Sequence, residues 1–181
     1  MTAQVIAAAL QRVEAVLRRR PEAGLHDDAP ATARWDGGTR VVASHANGKQ
    51  VMTDMPVELG GSGDQVSPGW LFRAGFASCT ATVIAMTAAA EGIELDALEV
   101  LASSRSDIRG LLGMSDADGE PVYAGSRDMR MLVRISAHGV SPERLRALVE
   151  KSYRCSPIAC AVQDAVSAVL CIDVGAAVST A

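Results

Sequence analysis

Cys79 and Cys155 are the residues of this chain whose setting could do chemistry. Cys79 sits in Ser67-Pro68-Gly69-Trp70-Leu71-Phe72-Arg73-Ala74-Gly75-Phe76-Ala77-Ser78-Cys79-Thr80, which reads as a capped helix carrying a thiol in its body. Cys155 sits in Tyr153-Arg154-Cys155-Ser156-Pro157-Ile158, where a thiol stands at the mouth of another helix. Two such thiols suggest redox chemistry, for which the thiolate is the reactive form; Cys155 can face the amides of the next helix, whereas Cys79, about three turns into its helix, needs a cation beside it. Taken by periodicity alone, Cys79 reads rather as a plain core cysteine on an apolar helix stripe. Cys160 and Cys171 read as core residues. Cys155, Cys160 and a histidine could bind zinc in principle, but no CxxC or HxxxH spacing supports it. His26, His45 and His138 fall in loop or strand-edge contexts, and no pairing with a cysteine is indicated.

The elements that must position these thiols follow from pattern. Residues 3–20 form an amphipathic helix with Ile6, Leu10, Val13 and Leu17 on one face, and Arg18 to Arg20 suit its negative end before Pro21 stops it. Residues 21–30 read as a linker. Ala31–Trp35 and Arg40–Ser44 flank Asp36-Gly37-Gly38-Thr39 as a hairpin, and Asn47-Gly48 leads into a third strand over 50–55. Glu58-Leu59-Gly60-Gly61-Ser62-Gly63 is a loop without the Lys-Ser/Thr ending of a phosphate-binding loop. A helix of about 24 residues then runs from Ser67 to Gly92, with Phe72, Phe76, Cys79, Val83 and Met86 on its expected buried stripe. Strands are expected over about 95–108 and 127–138, joined by a Gly/Asp-rich tip in which Asp116, Asp118 and Glu120 fail the spacing of a calcium loop. Ser141-Pro142 opens a helix, Ser156-Pro157 restarts one through about Val166, and Ser167–Val174 is expected to close the fold as a last strand. The order β-β-β-α-β-β-α-α-β defines an α+β chain.

Composition narrows the function classes. Aromatic residues make up 3% of the 181 and hydrophobic ones 49%, so the core should be aliphatic and closely packed. A net charge of −4 with no basic block beyond Arg18-Arg19-Arg20 argues against nucleic-acid binding. No apolar run reaches the ~18 uninterrupted residues of a membrane span, and the N-terminus lacks a signal peptide's basic region. A cytoplasmic location follows by default, and with it reduced rather than disulfide-bonded cysteines.

Gly37-Gly38, Pro56-Val57-Glu58-Leu59-Gly60-Gly61-Ser62-Gly63, the Ser67-Pro68 to Cys79 helix and Cys155-Ser156-Pro157-Ile158 together resemble the OsmC/Ohr family. The resemblance covers roughly residues 30–174, which divides the chain into an N-terminal helix and linker (1–29), an OsmC-like domain (30–175) and a C-terminal tail (176–181). It implies antiparallel sheets wrapped around long central helices in an intertwined homodimer. It also implies a cysteine-based peroxidase without a bound cofactor, supplied with electrons by an external dithiol. Cys79 would be the peroxide-attacking thiol, Cys155 the resolving one, and Arg40 the cation beside the first. The glutamate that such proteins carry after the helix-starting proline falls on Gly69, so Arg40 should be looser or recruit Glu58 or Asp64. Trp70, Phe72 and Phe76 would line an apolar approach suited to an organic hydroperoxide, with hydrogen peroxide a further substrate. The alternative is a dimer of the same fold that binds a small apolar ligand without turnover. A thiol hydrolase lacks a recognisable base.

Overall fold

A computed structural model describes residues 2–164 and 166–174. Its axis is helix α2, Pro68–Ala90, 23 residues long. Ser67 opens it by accepting a hydrogen bond from Trp70 N at 3.2 Å, and Pro68 occupies the first turn, where a missing N–H costs nothing. Gly92 follows its C-terminus at φ +69, a left-handed position open to glycine.

Four elements lie against α2. Helix α1 (Ala3–Arg19) runs along it, strand β4 (Ala97–Arg105) crosses it, and α4 (Pro142–Arg154) and α5 (Pro157–Gln163) cover its other side. β4 pairs antiparallel with β5 (Arg127–Ser136), and alternate residues of each strand turn toward the helices. A short helix α3 (Ile108–Leu111) begins the excursion that joins the two strands. The closest packing gathers Ala88, Ile93, Leu145 and Leu148, with Ile135 and Val140 at its margin. Glu91 pins α4 to the end of α2 by accepting from Arg144 at 2.6 Å and from Lys151 at 2.8 Å.

The sequence pattern placed Cys79 on the buried stripe of α2, and the structure differs. The buried line is Phe76, Thr80, Ile84 and Ala88, at a constant interval of four. Phe72 and Met86 are exposed, and Cys79 is half-buried on the neighbouring face. The cause is that α2 is apolar nearly all round, so its sequence does not say which face β4, α4 and α5 cover. By length and composition α2 would also pass for a membrane span, contrary to the expectation from composition. Within one chain it packs against both helices and sheet, and 22% of its apolar window is buried.

The first three strands form a separate meander, β1 (Thr32–Trp35), β2 (Val41–Ser44) and β3 (Gln50–Thr53), all antiparallel. Gly37 and Gly38 both take positive φ in the β1–β2 turn, as the hairpin demands. The meander makes no substantial packing contact with α2. It joins the rest through the parallel bridge of Thr53 to Val66.

Residues 166–174 form no strand, contrary to the expectation for 167–174. Val169, Leu170, Ile172 and Val174 all stand in solvent, with Val169 90% exposed. Apolar residues suited to a strand are present, but a strand needs a neighbour, and among the described residues none lies beside it. α5 likewise stops at Gln163, short of Val166. The expected tail over 176–181 lies outside the described residues.

Candidate functional site

Cys79 Sγ accepts a hydrogen bond from Ser156 Oγ at 3.4 Å. Ser156 is fully buried, and its hydroxyl also lies 3.4 Å from Thr80 Oγ1. The local sequence explains this placement. α4 ends at Arg154, and Cys155 is its C-cap, with its N–H donating to Ser152 O at 3.1 Å. The residue before a proline is driven out of the helical region, and Ser156 accordingly sits at φ −80, ψ 115 before Pro157. Its hydroxyl makes no cap bond to α5 and turns instead to α2. Cys155 is thus the immediate chain neighbour of the group that touches Cys79.

Both thiols line one cleft of about 660 Å³ between α2 and the α4–α5 junction. Val83 and Met86 of α2, Pro157, and Leu10 of α1 supply apolar parts of its wall. Lys151 is the one cation on the wall, and its ammonium is engaged by Glu91. Cys155 is exposed and Cys79 half-buried, and neither is in a disulfide.

Arg40 stands elsewhere in the chain. Its guanidinium donates to Asp64 at 2.7 and 2.9 Å and to Ser62 Oγ at 2.7 Å, with Asp54 at 3.6 Å from its Nε. Of the two carboxylates expected to recruit it, Asp64 does so. Asp54 is the buried centre of this knot. It accepts from the Ser62 hydroxyl at 2.6 Å, Thr39 at 2.5 Å and the Ser62 and Met55 amides, and these bonds hold its carboxyl far below the usual range. Gly61 permits the loop to wrap so closely, since a Cβ there would lie 1.7 Å from Met55 O. Within one chain, then, Arg40 rides on a meander that does not pack on the helix bearing Cys79.

The other sequence-selected residues are distributed as follows. Phe76 is buried and faces Tyr153, ring centroids 6.5 Å apart, while Trp70 and Phe72 are about half exposed. None of the three is on the cleft wall formed by one chain. A Cβ added at Gly69 would meet Arg73 Nη1 at 3.7 Å, so an arginine of α2 flanks the position where the resemblance implies glutamate. Cys160 donates to Arg154 O at 3.5 Å, and Cys171 is exposed. No histidine reaches the cleft, and no metal-binding cluster occurs among the described residues. Sequence reasoning missed Ser156, Thr80, Leu10 and Lys151. For Ser156 the signal was its position between a cysteine and a proline.

The family model described as OsmC-like protein matches residues 61–170. This chain belongs to the OsmC-like family. The match spans both cysteines, Ser156 and every element of the cleft except α1, while Arg40 lies before it. Among curated proteins, none is detectably similar in sequence. Among solved structures, an OsmC-like protein of Mycoplasma pneumoniae is similar at TM-score 0.64 and 16% identity, over 78% of this chain and 91% of that one. An organic hydroperoxide resistance protein of Elizabethkingia anophelis is similar at TM-score 0.58 and 22% identity, over 78% and 91%. One of Legionella pneumophila is similar at 0.56 and 22%, over 77% and 92%. At these identities the likeness establishes the OsmC-like fold.

Proposed function

We propose that this OsmC-like protein is a thiol peroxidase acting on organic hydroperoxides. The observation that carries the reading is the Ser156–Cys79 hydrogen bond with Cys155 next in the chain, on the wall of one apolar cleft. The thiolate is the form that attacks oxygen, and the Ser156 hydroxyl is placed to donate to its sulfur. In the reaction the Cys79 sulfur bonds the terminal peroxide oxygen, the O–O bond breaks, and the alkoxide leaves as alcohol after taking a proton. Cys79 is then a sulfenic acid. The Cys155 thiolate attacks its sulfur, water departs, and a disulfide forms before over-oxidation can occur. An external dithiol restores both thiols by exchange.

The working unit in this reading is a homodimer. Trp70, Phe72 and Met86 of α2 are exposed, the meander stands off its own α2, and 166–174 has strand pattern without a strand neighbour. A second copy answers all three, and it would bring the partner's Arg40 toward the thiol. The apolar character of the cleft wall favours one other reading, a binder of small apolar ligands without turnover.

The test is consumption of cumene hydroperoxide with a dithiol reductant. The parent should turn over, Cys79→Ser should be inactive, and Cys155→Ser, without its resolving thiol, should be inactivated by over-oxidation of Cys79 under excess peroxide. Consumption by the parent no faster than by Cys79→Ser would overturn the peroxidase reading in favour of the binder.

A further inference from the structure

The second chemically distinctive place in the molecule is the end of the β4–β5 ladder. The strands pair regularly from Ala97 opposite Ser136 to Ser103 opposite Arg130, and then the register slips so that Arg105 faces Arg127. β5 carries the extra residue, a bulge. Asp128 lies inside it at φ +51, the one non-glycine at positive φ among the described residues. Regular pairing beyond Ser103 would instead set Asp128 opposite Arg105, a favourable cross-strand pair. The fold thus forgoes an opposite-charge pair, accepts a left-handed aspartate, and sets two guanidinium-bearing residues face to face. Each of these is unfavourable alone, and such combinations persist where surrounding structure enforces them.

Both arginines open into a cavity of about 610 Å³ that shares no wall residue with the cysteine cleft. Its other wall is the excursion over 106–126, and this is firmly built. A Cβ on Gly110 would lie 2.6 Å from Tyr123 O and from Ala124 Cα, so α3 is pressed against the returning chain. Ser115 bridges to Pro121, and Val122 N donates to Met114 O at 3.0 Å. Tyr123 in turn supports Arg127, whose guanidinium carbon lies 5.2 Å from the ring centroid.

Three carboxylates also face the cavity. Asp107 is gripped by both arms of Arg109, at 2.6 and 3.0 Å. Asp116 accepts from the amides of Asp118 and Glu120 at 3.0 Å. Only Asp128 is left over, and neither Arg105 nor Arg127 forms an ion pair among the described residues. We propose that Arg105 and Arg127 form a clamp for a small ligand carrying one oxyanion, a carboxylate or a phosphoryl group, with Asp128 disfavouring polyanions. Two planar guanidiniums suit either group through paired N–H donors. Binding would also relieve the repulsion between them.

The experiment is calorimetric titration of the parent with inorganic phosphate and, separately, acetate, at constant ionic strength set with chloride. Saturable binding of at least one probe is expected. Arg105→Gln and Arg127→Gln should each weaken it about tenfold or more, as loss of a charged hydrogen-bonding partner does. A second readout separates a site from a structural role. Because Arg105→Gln removes a like-charge contact and breaks no ion pair among the described residues, that ligand-free variant should melt no lower than the parent. No saturable binding of either probe, binding unaffected by both substitutions, or a lowered melting temperature in ligand-free Arg105→Gln would overturn the proposal. Peroxide consumption should be unchanged in both.

Discussion

Ser156→Ala isolates the contact between the α4–α5 junction and the thiol. The Ser156 hydroxyl lies 3.4 Å from Cys79 Sγ, a length suited to an O–H donor and a sulfur acceptor. A hydrogen bond to a charged acceptor contributes about 1.5–3 kcal/mol. The lower end applies, because the same hydroxyl also has Thr80 within reach at 3.4 Å. Withdrawing about 1.4 kcal/mol of support from the anionic sulfur that reacts corresponds to a factor of about ten. A less supported sulfur anion is individually more nucleophilic, which returns part of the loss. Alkylation of Cys79 by iodoacetamide at pH 7, measured in a Cys155→Ser background, should therefore slow about three- to tenfold. Thr80→Val serves as the control. It removes the competing partner and should leave the rate equal or slightly higher, although both substitutions disturb the same buried pair. An unchanged rate in Ser156→Ala, or equal slowing in both variants, would show that the hydroxyl packs against the sulfur without stabilising its anion. The electrostatic part of the reasoning would then fail.

Two further outcomes follow from the architecture. Sedimentation should show a dimer at micromolar concentration, and a stable folded monomer with 166–174 open to protease would contradict the assembly. Asp54→Asn should destabilise the fold at neutral pH, with a pH dependence whose sign is set. The carboxyl of Asp54 is depressed below its ordinary 3.8 by hydrogen bonds from Ser62 and Thr39, so its ionised form stabilises the folded state fully above that value and less as pH falls below it. Denaturant melts of parent and variant should differ by a constant amount from pH 8 to 5 and converge below about pH 4. A gap that holds or widens in acid would refute this account.

Local signals carried most of the architecture. Ser67-Pro68 and Ser141-Pro142 announce helix starts, and both serines accept the expected amide bond. Asp36-Gly37-Gly38-Thr39 and Asn47-Gly48 announce turns that the structure contains. What was not legible depends on which surfaces meet. The covered face of α2 could not be read because Phe72, Phe76, Val83, Ile84 and Met86 surround the helix with similar polarity. The direction of the Ser156 side chain depends on α5 lying against α2, a contact between segments about 75 residues apart. Arg40 was assigned beside Cys79 through the resemblance, and one chain places it with Asp64 instead. The bulge at Asp128 was not read from the sequence, although aspartate is disfavoured in strands and tolerates a left-handed backbone.

The meander that stands clear of its own α2, and the unpaired run at 166–174, bear on how the chain reaches its final state. Hairpins and helices form from neighbouring residues and set in early, at a rate each molecule determines for itself. On the dimer reading, the last sheet contacts must wait for an encounter. Folding then ends in a second-order step whose half-time shortens as concentration rises. Until that encounter, each chain displays open strand edges and an apolar helix face, which are equally serviceable for unproductive association. Refolding yield should therefore pass through a maximum with concentration, too dilute for assembly on one side and too crowded for selectivity on the other.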